Sequence, residues 1–298
     1  MKMYTKYLDK LESLEDKVAI VTGANSGLGF QTALSLAYKG AKVIMACRNL
    51  EKAEIAKDKI LKEVKTAKID ICKYDQGSFD SIEKFSIYIE ENYQHIDYLV
   101  CNAGVYFPKV NYRTKDNLEL TMGTNYFGTY HLLKKMNPML ERCHSKVIVV
   151  TSLTAFLSNK SIDLKDFEKM SRNKNYGYSK CCLSRLTYEL STKDTNVIYY
   201  LTHPGICQTN IISSDQTGLP SWFSKLGHLF LYIFVHHASK ACLTNIKAIY
   251  SLDKDKNYIK PRGPFAISGY PKAKKMPNFV KDPIIEETEE YLRNTIKL

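Results

Sequence analysis

The sequence lacks the patterns that would mark a metal site or a disulfide framework. Its eight cysteines form no C-x-x-C pair and no Cys/His cluster at ligand spacing. We therefore interpret the cysteines as reduced thiols of an intracellular protein. His203, His236 and His237 are joined by no carboxylate or cysteine at ligand spacing, so we assign no metal.

Long hydrophobic runs are also missing. The longest apolar run in the C-terminal third, Leu229–Val235, is far shorter than the roughly 20 residues that cross a bilayer. No signal peptide is visible, and we expect a cytoplasmic protein. Residues 1–16 mix charges with apolar side chains at a helical spacing, which predicts an N-terminal helical extension packed on the body. These apolar side chains are Tyr4, Tyr7, Leu8, Leu11 and Leu14.

No Pro/Gly/Ser-rich linker divides the chain, and no internal repeat is found. The chain has 298 residues, of which 44% are apolar, enough for a full core. We therefore predict a single domain over residues 1–298.

Negative charge is in deficit, because 31 Asp and Glu face 43 Lys and Arg, a formal net charge of +12. Nucleic acid and anionic membrane are the specific interpretations of such a balance. A lysine-rich surface is the general one, and we favour it because the lysines are scattered over every segment and no nucleic-acid motif occurs. We expect no nucleic-acid partner, and a salt-dependent shift assay would test this.

Apolar runs typical of buried strands alternate with helical patterns, which indicates a parallel sheet covered on both faces. Pro138 is expected to limit the longest helix, and a last strand is expected near Pro264–Ser268. The predicted strands are 17–23, 42–47, 67–74, 96–102, 146–151 and 196–202, and the predicted helices are 27–39, 51–64, 78–93, 117–140 and 174–192.

A glycine-rich turn follows the first strand and precedes the first long helix. In that context Gly23 permits a tight turn, Gly27 lets the backbone approach phosphate oxygens, and Gly29 lets helix and sheet meet closely. The turn predicts that a dinucleotide pyrophosphate docks at the helix N-terminus. The residues of the turn predicted to bind it are Gly23, Asn25, Ser26, Gly27, Leu28 and Gly29.

The T-G-x-x-x-G-x-G spacing resembles the short-chain dehydrogenase/reductase family, and further motifs follow in the family's order from residue 17 to about 210. These are Asn102-Ala103-Gly104, Asn125, Ser152, Tyr176 with Lys180, and Pro204-Gly205 with Thr209. The resemblance implies an α/β fold with a Rossmann-type doubly wound parallel sheet in three layers. It also implies a nicotinamide cofactor held by these motifs, and a homo-oligomer.

The choice of cofactor depends on the end of the second strand. An NAD-binding site usually has Asp or Glu there, whereas this chain has Ala46-Cys47-Arg48-Asn49. Arg48 can pair with a 2′-phosphate, so we predict NADP(H), with Arg48 and Asn49 among the contacts. A solvated Arg48 is the alternative. By resemblance, Asp75 lies where the family holds the adenine ring, although residues 74–77 could equally form a turn.

The Tyr-x-x-x-Lys spacing occurs five times, and only Tyr176/Lys180 lies between a strand-ending serine and the Pro-Gly motif. A spacing of i, i+4 puts both side chains on one helical face, whereas Tyr178 lies on another. A nearby ammonium lowers the pKa of a phenol, whose reference value is about 10. Tyr176 is therefore the predicted general acid for reduction and general base for oxidation.

The resemblance assigns roles to three other residues. Lys180 also holds the nicotinamide ribose, and Asn125 anchors a water near Lys180. From the residues alone, Asn125 reads better as an ordinary buried helical asparagine. Ser152 would donate a hydrogen bond to the substrate oxygen.

Ser152 and Tyr176 are 24 residues apart, more than in the simplest family members. The extra stretch includes Ile162–Phe167. Together with Cys47-Arg48 it is similar to the retinol dehydrogenase-like branch of the family. A neutral surface insertion is the alternative, and retinol as substrate does not follow.

Residues 210–238 are rich in apolar and aromatic side chains, and in the family this region covers the substrate. A lid of this composition favours a hydrophobic ketone, aldehyde or alcohol. Internal packing, a subunit contact, or a peripheral membrane contact, which is not favoured, are the alternatives. The apolar residues include Leu219, Trp222, Phe223, Leu226, Leu229, Phe230, Tyr232, Ile233, Phe234 and Val235.

The predicted function is that of an NADP(H)-dependent oxidoreductase that interconverts a carbonyl and an alcohol on a hydrophobic substrate. The alternative is a non-catalytic NADP(H)-binding sensor or scaffold. Such proteins often lose the Tyr or the Lys, whereas this chain keeps Asn125, Ser152, Tyr176 and Lys180.

Overall fold

The protein is described from a computed structural model, which covers residues 4–106, 113–158, 164, 166–193, 195–208 and 236–296. In chain order, strands β1 to β10 are Val18–Thr22, Lys42–Cys47, Lys68–Lys73, Tyr98–Cys101, Lys146–Val150, Ile198–Thr202, Cys207–Gln208, His236–His237, Tyr258–Pro261 and Pro271–Lys274. Helices α1 to α11 are Thr5–Leu8, Gly27–Tyr38, Leu50–Glu63, Phe79–Asn92, Leu120–Met122, Gly128–Arg142, Thr154–Leu157, Arg172–Ser191, Ala238–Ala241, Leu243–Tyr250 and Ile285–Thr295.

Eight strands form one sheet in the order β10-β9-β6-β5-β4-β1-β2-β3. Every neighbouring pair is parallel except β9 and β10, which are antiparallel. The strand order reverses between β1 and β4, and in doubly wound sheets ligands bind at the carboxyl ends of the strands at such a point. The predicted α/β class, a Rossmann-type doubly wound parallel sheet, is confirmed.

The core lies on both faces of the sheet because successive side chains of a strand point to opposite faces. Ile20 and Leu99 belong to the hydrophobic cluster on one face, where helices α4, α6 and α8 pack. Val21 and Val100 belong to the cluster on the other face, with helices α2, α3 and α10. This double burial explains why the strands read as continuous apolar runs in the sequence.

The described part of the N-terminal segment, from Tyr4, packs on the body, and there only Thr5–Leu8 is helical. Leu8 and Leu14 are buried. The Lys39 ammonium donates to the carbonyl oxygen of Leu11 at 2.7 Å, and the Tyr250 hydroxyl donates to that of Glu12 at 2.6 Å. Of the helical extension expected over residues 1–16, the described residues contain one turn, and the residues after it bond to the body of the protein.

The prediction of a strand near Pro264–Ser268 is wrong. These residues form the connection between β9 and β10, with a 3₁₀ turn at Pro264–Ala266. Phe265 has φ +50° and Ala266 φ +58°, backbone values that no strand allows. The N–H of Gly263 donates to the carbonyl of Ser268 at 3.0 Å and closes this connection. The actual strands lie on either side of it.

The helix expected over 117–140 begins at Leu120, ends at Arg142 and is less regular than predicted. A π-helical turn, Gly123–Phe127, separates α5 from α6, and α6 continues past Pro138 to Arg142. Pro138 and Lys134, whose carbonyl loses its helical partner, are both exposed, so water can satisfy that oxygen. Proline therefore does not end the helix here.

Three further findings concern the described part of the chain. None of its helices combines the length and the apolar character needed to cross a membrane. It contains no group of three His, Cys, Asp or Glu side chains that could hold a metal ion. Seven of the described cysteines lie outside any disulfide, namely Cys47, Cys72, Cys101, Cys143, Cys181, Cys182 and Cys242.

Candidate active site

Most of the predicted site motifs follow the carboxyl ends of neighbouring parallel strands. The glycine-rich turn follows β1, Arg48 follows β2, Asp75 follows β3, and Asn102 follows β4. Ser152 follows β5, and Pro204-Gly205 follows β6. Because parallel strands end at the same edge, the fold brings these motifs to one rim of the sheet, where ligands bind in doubly wound folds.

The glycine-rich turn has a backbone that favours glycine. Gly23 has φ +67° and Gly27 has φ +56°. A Cβ on residue 29 would collide with the Gly23 carbonyl oxygen and the Asn102 amide. The turn is thus held tightly against the segment after β4.

Thr22 links the glycine-rich turn to the segment after β4 by hydrogen bonds. Its hydroxyl accepts the backbone N–H groups of Asn102 and Ala103 at 3.0 and 2.9 Å and donates to the Val100 carbonyl at 3.3 Å. The Asn102 side-chain amide donates to the Thr22 carbonyl at 2.9 Å. The turns after β1 and β4 therefore form one polar unit.

The N-terminus of helix α2 differs from those of α3 and α4. Asn49 caps α3 and Ser78 caps α4, and each of these helices carries an acidic residue in its first turn. Ser26 at the start of α2 makes no side-chain cap, and the first turn of α2 has no acidic residue. The positive end of the α2 dipole is therefore available to an anion, as a dinucleotide pyrophosphate requires.

The Cys47 thiol, at the end of β2, forms hydrogen bonds with the same glycine-rich turn. It accepts the backbone N–H groups of Ala24 and Asn25, while burial raises its pKa to about 11. The thiol is neutral at physiological pH, so it positions the turn without opposing an anionic ligand there.

Asn125 lies in the π-helical turn and acts as a clamp on the segment after β4. Its Oδ1 accepts the N–H of Val105 at 2.7 Å, and its Nδ2 donates to the Val105 carbonyl at 3.0 Å and to the Ser179 hydroxyl at 3.1 Å. Asn125 is fully buried. The side chain thus joins the end of β4 to helix α8. The π turn widens the helix at this residue, as is frequent at functional sites.

Lys180 is a buried ammonium group on α8. Its Nζ donates to the Val150 carbonyl at the end of β5 at 3.0 Å and lies 6.0 Å from the centre of the Tyr176 ring. Burial lowers the pKa of Lys180 to about 8. A Cβ on Gly104 would lie 3.7 Å from this ammonium, so the segment after β4 passes directly beside it. Tyr176 and Lys180 share one face of α8, as their spacing predicted.

Ser152 is half-buried and oriented by its neighbour. Its Oγ accepts from the N–H and the hydroxyl of Thr154 at 3.3 and 3.0 Å. Both bonds use the serine oxygen as acceptor, so its own proton is left to be donated.

The residues at the end of β2 have different environments. Arg48 is exposed, and its carbonyl accepts the Lys73 ammonium at 2.6 Å. Asn49 accepts the N–H of Lys52 at 2.8 Å and caps α3, a structural role that the sequence interpretation did not give it.

Asp75, after β3, accepts the N–H of Gly77 at 3.1 Å and pairs with Lys115 at 3.9 Å. Its carboxylate therefore stabilises the turn after β3.

The end of β6 approaches the connection between β9 and β10. Gly205 has φ +82°, and the N–H of Ile206 donates to the Ile267 carbonyl at 2.9 Å. The predicted cofactor contact Thr209 and the predicted lid between residues 210 and 235 lie outside the described residues.

His237 caps helix α9 by accepting the N–H of Ser239 at 3.2 Å.

Sequence reasoning missed several supports of the site. The Tyr106 ring packs edge-on against Tyr176, with centroids 4.6 Å apart. Ser179 donates to the Tyr176 carbonyl at 2.8 Å and so links Asn125 to helix α8. Gln76, which the sequence placed only in a turn, contacts both the segment after β4 and the π turn. Nothing in local spacing identifies these contacts, because each joins segments that are distant in sequence or depends on side-chain orientation.

A doubly wound parallel sheet with these motifs at its carboxyl rim defines a Rossmann-type fold. The profile of the family described as short chain dehydrogenase matches residues 17–219. The chain belongs to this family.

Similar proteins confirm the retinol dehydrogenase-like branch. Human retinol dehydrogenase 13 is 33% identical over 228 residues, which are 73% of this chain and 67% of that protein. The WW domain-containing oxidoreductase of Drosophila melanogaster is 30% identical over 247 residues, 79% of this chain and 58% of that protein. The chain thus spans only a little more than half of the latter protein.

Solved structures share the fold. A protein from Mycobacterium paratuberculosis has a TM-score of 0.74 at 24% identity, covering 96% of this chain and 97% of that one. An alcohol dehydrogenase from Thermococcus sibiricus complexed with 5-hydroxy-NADP has a TM-score of 0.60 at 21% identity, covering 80% and 92%. A family member from Burkholderia phymatum in complex with NAD has 0.61 at 19%, covering 80% and 87%. At these identities the likeness establishes the fold.

Proposed function

We propose that this protein is an NADP(H)-dependent oxidoreductase that interconverts a ketone or aldehyde and an alcohol on a hydrophobic substrate. The observation that carries the proposal is the buried Lys180 ammonium beside Tyr176, at the rim where the glycine-rich turn and the segment after β4 meet. A buried charge is costly, and such groups concentrate at functional sites.

The proton is the part of the reaction that this chain supplies. In reduction the Tyr176 hydroxyl gives its proton to the substrate oxygen, and in oxidation the phenolate takes it back. The Lys180 ammonium stabilises the phenolate by its charge. Tyr106 packs against the edge of the Tyr176 ring and restricts its orientation.

Ser152 is proposed to bind the same substrate oxygen. The Ser152 oxygen accepts both hydrogen bonds from Thr154. The serine proton can therefore be donated to the substrate oxygen, where negative charge develops. Asn125 positions these groups by joining Val105 to helix α8 through Ser179. Its role in anchoring a water near Lys180 remains part of the proposal.

The residues fit a dinucleotide. Gly23 and Gly27 have the left-handed backbone of a tight turn, and the first turn of α2 is open to a pyrophosphate. The other proposed contacts are Asn25, Ser26, Leu28, Gly29, Asn49, Asp75, Asn102, Ala103, Gly104, Pro204, Gly205 and Thr209. Lys180 is proposed to hold the nicotinamide ribose in addition to its effect on Tyr176. When bound, NADPH supplies the hydride.

Turnover is the direct test. The purified protein is incubated with NADPH and a panel of lipophilic ketones and aldehydes, and the loss of NADPH absorbance is measured. We expect oxidation of NADPH that depends on the added carbonyl compound, with the more hydrophobic compounds favoured. Tight NADPH binding without turnover of any compound would instead support a non-catalytic sensor or scaffold.

Arg48 provides the test of cofactor choice. It is exposed at the end of β2, where no carboxylate is present to accept a ribose hydroxyl. In the Arg48→Ala variant, the ratio of kcat/KM for NADPH to kcat/KM for NADH should fall by about tenfold or more. The reason is that a charge-assisted pair with the 2′-phosphate is removed. The variant keeps the backbone carbonyl that Lys73 contacts.

The matched control is Arg142→Ala. Arg142 is an exposed arginine that pairs with Glu90 at 2.8 Å at the far end of helix α6. Its replacement should leave the cofactor ratio unchanged. A wild-type preference for NADH would contradict NADP(H) as the cofactor. An Arg48→Ala ratio equal to that of wild type would contradict the contact between Arg48 and the 2′-phosphate.

A further inference from the structure

We infer that Gln76 is a positioning residue that holds the π-helical turn of Asn125 and the segment after β4 in register with each other. Gln76 follows β3 and is 5% exposed. Its Nε2 lies 2.7 Å from the Thr124 carbonyl, 3.1 Å from the Ala103 carbonyl and 3.2 Å from the Thr129 hydroxyl. One side chain thus joins three segments of the site. The inference rests on the proposed function.

The orientation of the Gln76 amide follows from its partners. Two of the groups around Nε2 are carbonyl oxygens, which can only accept a hydrogen bond. The third, the Thr129 hydroxyl, donates its proton to the Asn125 carbonyl at 2.8 Å. On the other side, the Tyr74 hydroxyl donates to Gln76 Oε1 at 3.2 Å. The amide nitrogen must therefore face the site.

Two side chains bond to the backbone of the π turn. A π-helical turn spaces its backbone bonds at i, i+5 instead of i, i+4, and in this turn two successive carbonyls also accept side-chain hydrogen bonds. Gln76 donates to the carbonyl of Thr124, and Thr129 donates to the carbonyl of Asn125. These two bonds satisfy the carbonyls where the helix widens, in a buried environment where an unmade bond is costly.

Close packing leaves Gln76 little freedom. A Cβ on residue 128 would collide with the Gln76 carbonyl oxygen, so helix α6 begins directly on this turn. The bond to the Ala103 carbonyl fixes the segment after β4. The next residue of that segment, Gly104, lies beside Asn125 and Lys180. A loss of the amide would let the π turn and the segment after β4 move relative to each other.

The Gln76→Met variant removes the amide at nearly constant volume. It should lower kcat with NADPH by about tenfold and weaken NADPH binding, because the proton-transfer groups and the cofactor segment lose their register. The NADPH-over-NADH ratio should stay constant, which separates this effect from that of Arg48. Steady-state kinetics with both cofactors and a Kd from dihydronicotinamide fluorescence provide the measurements.

Ser145→Ala is the matched control. The buried Ser145 hydroxyl donates to the Ile96 carbonyl at 2.6 Å at the opposite, amino end of the sheet. Its loss should lower the Tm and leave kcat and Kd unchanged. A merely structural Gln76 would behave in the same way, so kcat and Kd equal to wild type in Gln76→Met would overturn the inference.

Gln76→Glu provides a second test if the methionine variant does not fold. A protonated glutamate can still donate to one carbonyl, whereas its carboxylate would face both oxygens. Its kcat, divided by that of wild type at each pH, should fall as pH rises from about 5 to 8, since burial raises the pKa of such a carboxyl above its usual 4.3 or so. A ratio that is constant with pH would overturn the inference.

The proposed function fails separately. A wild-type protein that binds NADPH but turns over no carbonyl compound would overturn the oxidoreductase activity. In that case a Kd for NADPH that is the same in Gln76→Met and wild type would also overturn the role of Gln76.

Discussion

Replacing Lys180 with methionine should remove activity while leaving the cofactor-free fold as stable as wild type, or more stable, at pH 7. The activity falls because the variant loses the charge beside Tyr176 and a proposed cofactor contact. A loss of about a thousandfold in kcat/KM is expected for a preorganised charged group in a reaction centre. Steady-state kinetics with NADPH and a carbonyl compound measure it.

The stability effect follows from the pKa of Lys180, which burial lowers from 10.5 to about 8. A fall of this size corresponds to a penalty on the order of 3 kcal/mol for holding the charged amine in the fold at neutral pH. Methionine removes that penalty, but it also leaves the Val150 carbonyl without the bond of 3.0 Å, which costs about 1–3 kcal/mol. The net change in the free energy of unfolding is therefore between zero and about 2 kcal/mol in favour of the variant.

The pH dependence gives the sign of this effect. Below pH 8 both the folded and the unfolded wild-type protein hold the Lys180 proton, and the full penalty is present. Between pH 8 and 10.5 the unfolded state binds more protons at this residue, so its contribution makes the wild-type protein more stable as pH rises. The advantage of Lys180→Met should therefore shrink over this range. Urea denaturation without cofactor at pH 7 and pH 9.5 measures the difference.

Lys146→Met is the matched control. Lys146 begins β5, the strand whose last carbonyl Lys180 contacts, and its ammonium donates to the carbonyls of Ile249 and Ser251, both at 2.8 Å. Burial lowers the pKa of Lys146 as well. Its replacement should affect stability and spare activity, because it lies at the amino end of the sheet. A Lys180→Met variant with normal turnover would exclude Lys180 from the reaction.

The Tyr176→Phe variant should lose turnover while it keeps NADPH binding. The substitution removes one hydroxyl from a half-buried ring and preserves its edge-on contact with Tyr106. Proton transfer by a positioned side chain contributes about 10²–10⁴-fold, so kcat should fall by at least the lower of these factors. Kinetics measure the loss, and dihydronicotinamide fluorescence shows whether the cofactor still binds.

Tyr178→Phe is the appropriate comparison, since Tyr178 lies two residues further along helix α8 and is buried in the core on another face. This variant should turn over substrate at the wild-type rate. Near-normal turnover in Tyr176→Phe would overturn Tyr176 as the proposed acid. Loss of turnover in Tyr178→Phe, with near-normal turnover in Tyr176→Phe, would assign that role to Tyr178.

Local pattern was sufficient for the core of the fold. The β2 strand was predicted with its observed bounds, Lys42–Cys47, because a strand buried on both faces is a continuous apolar run. Prediction failed where tertiary contacts decide. Pro264–Ser268 became a connection and the N-terminal helix became one turn, because bonds to other segments set their backbones.

For the site, the sequence by itself determined which motifs stand at the carboxyl rim, since each follows a strand of a parallel sheet, and it placed Tyr176 and Lys180 on one helical face by their spacing. Only the tertiary structure decided how the rim is held together. The bonds of Gln76 to Ala103 and Thr124 span 27 and 48 residues. Spacing along the chain cannot encode such bonds, because they exist only after the sheet has brought the turns to one edge.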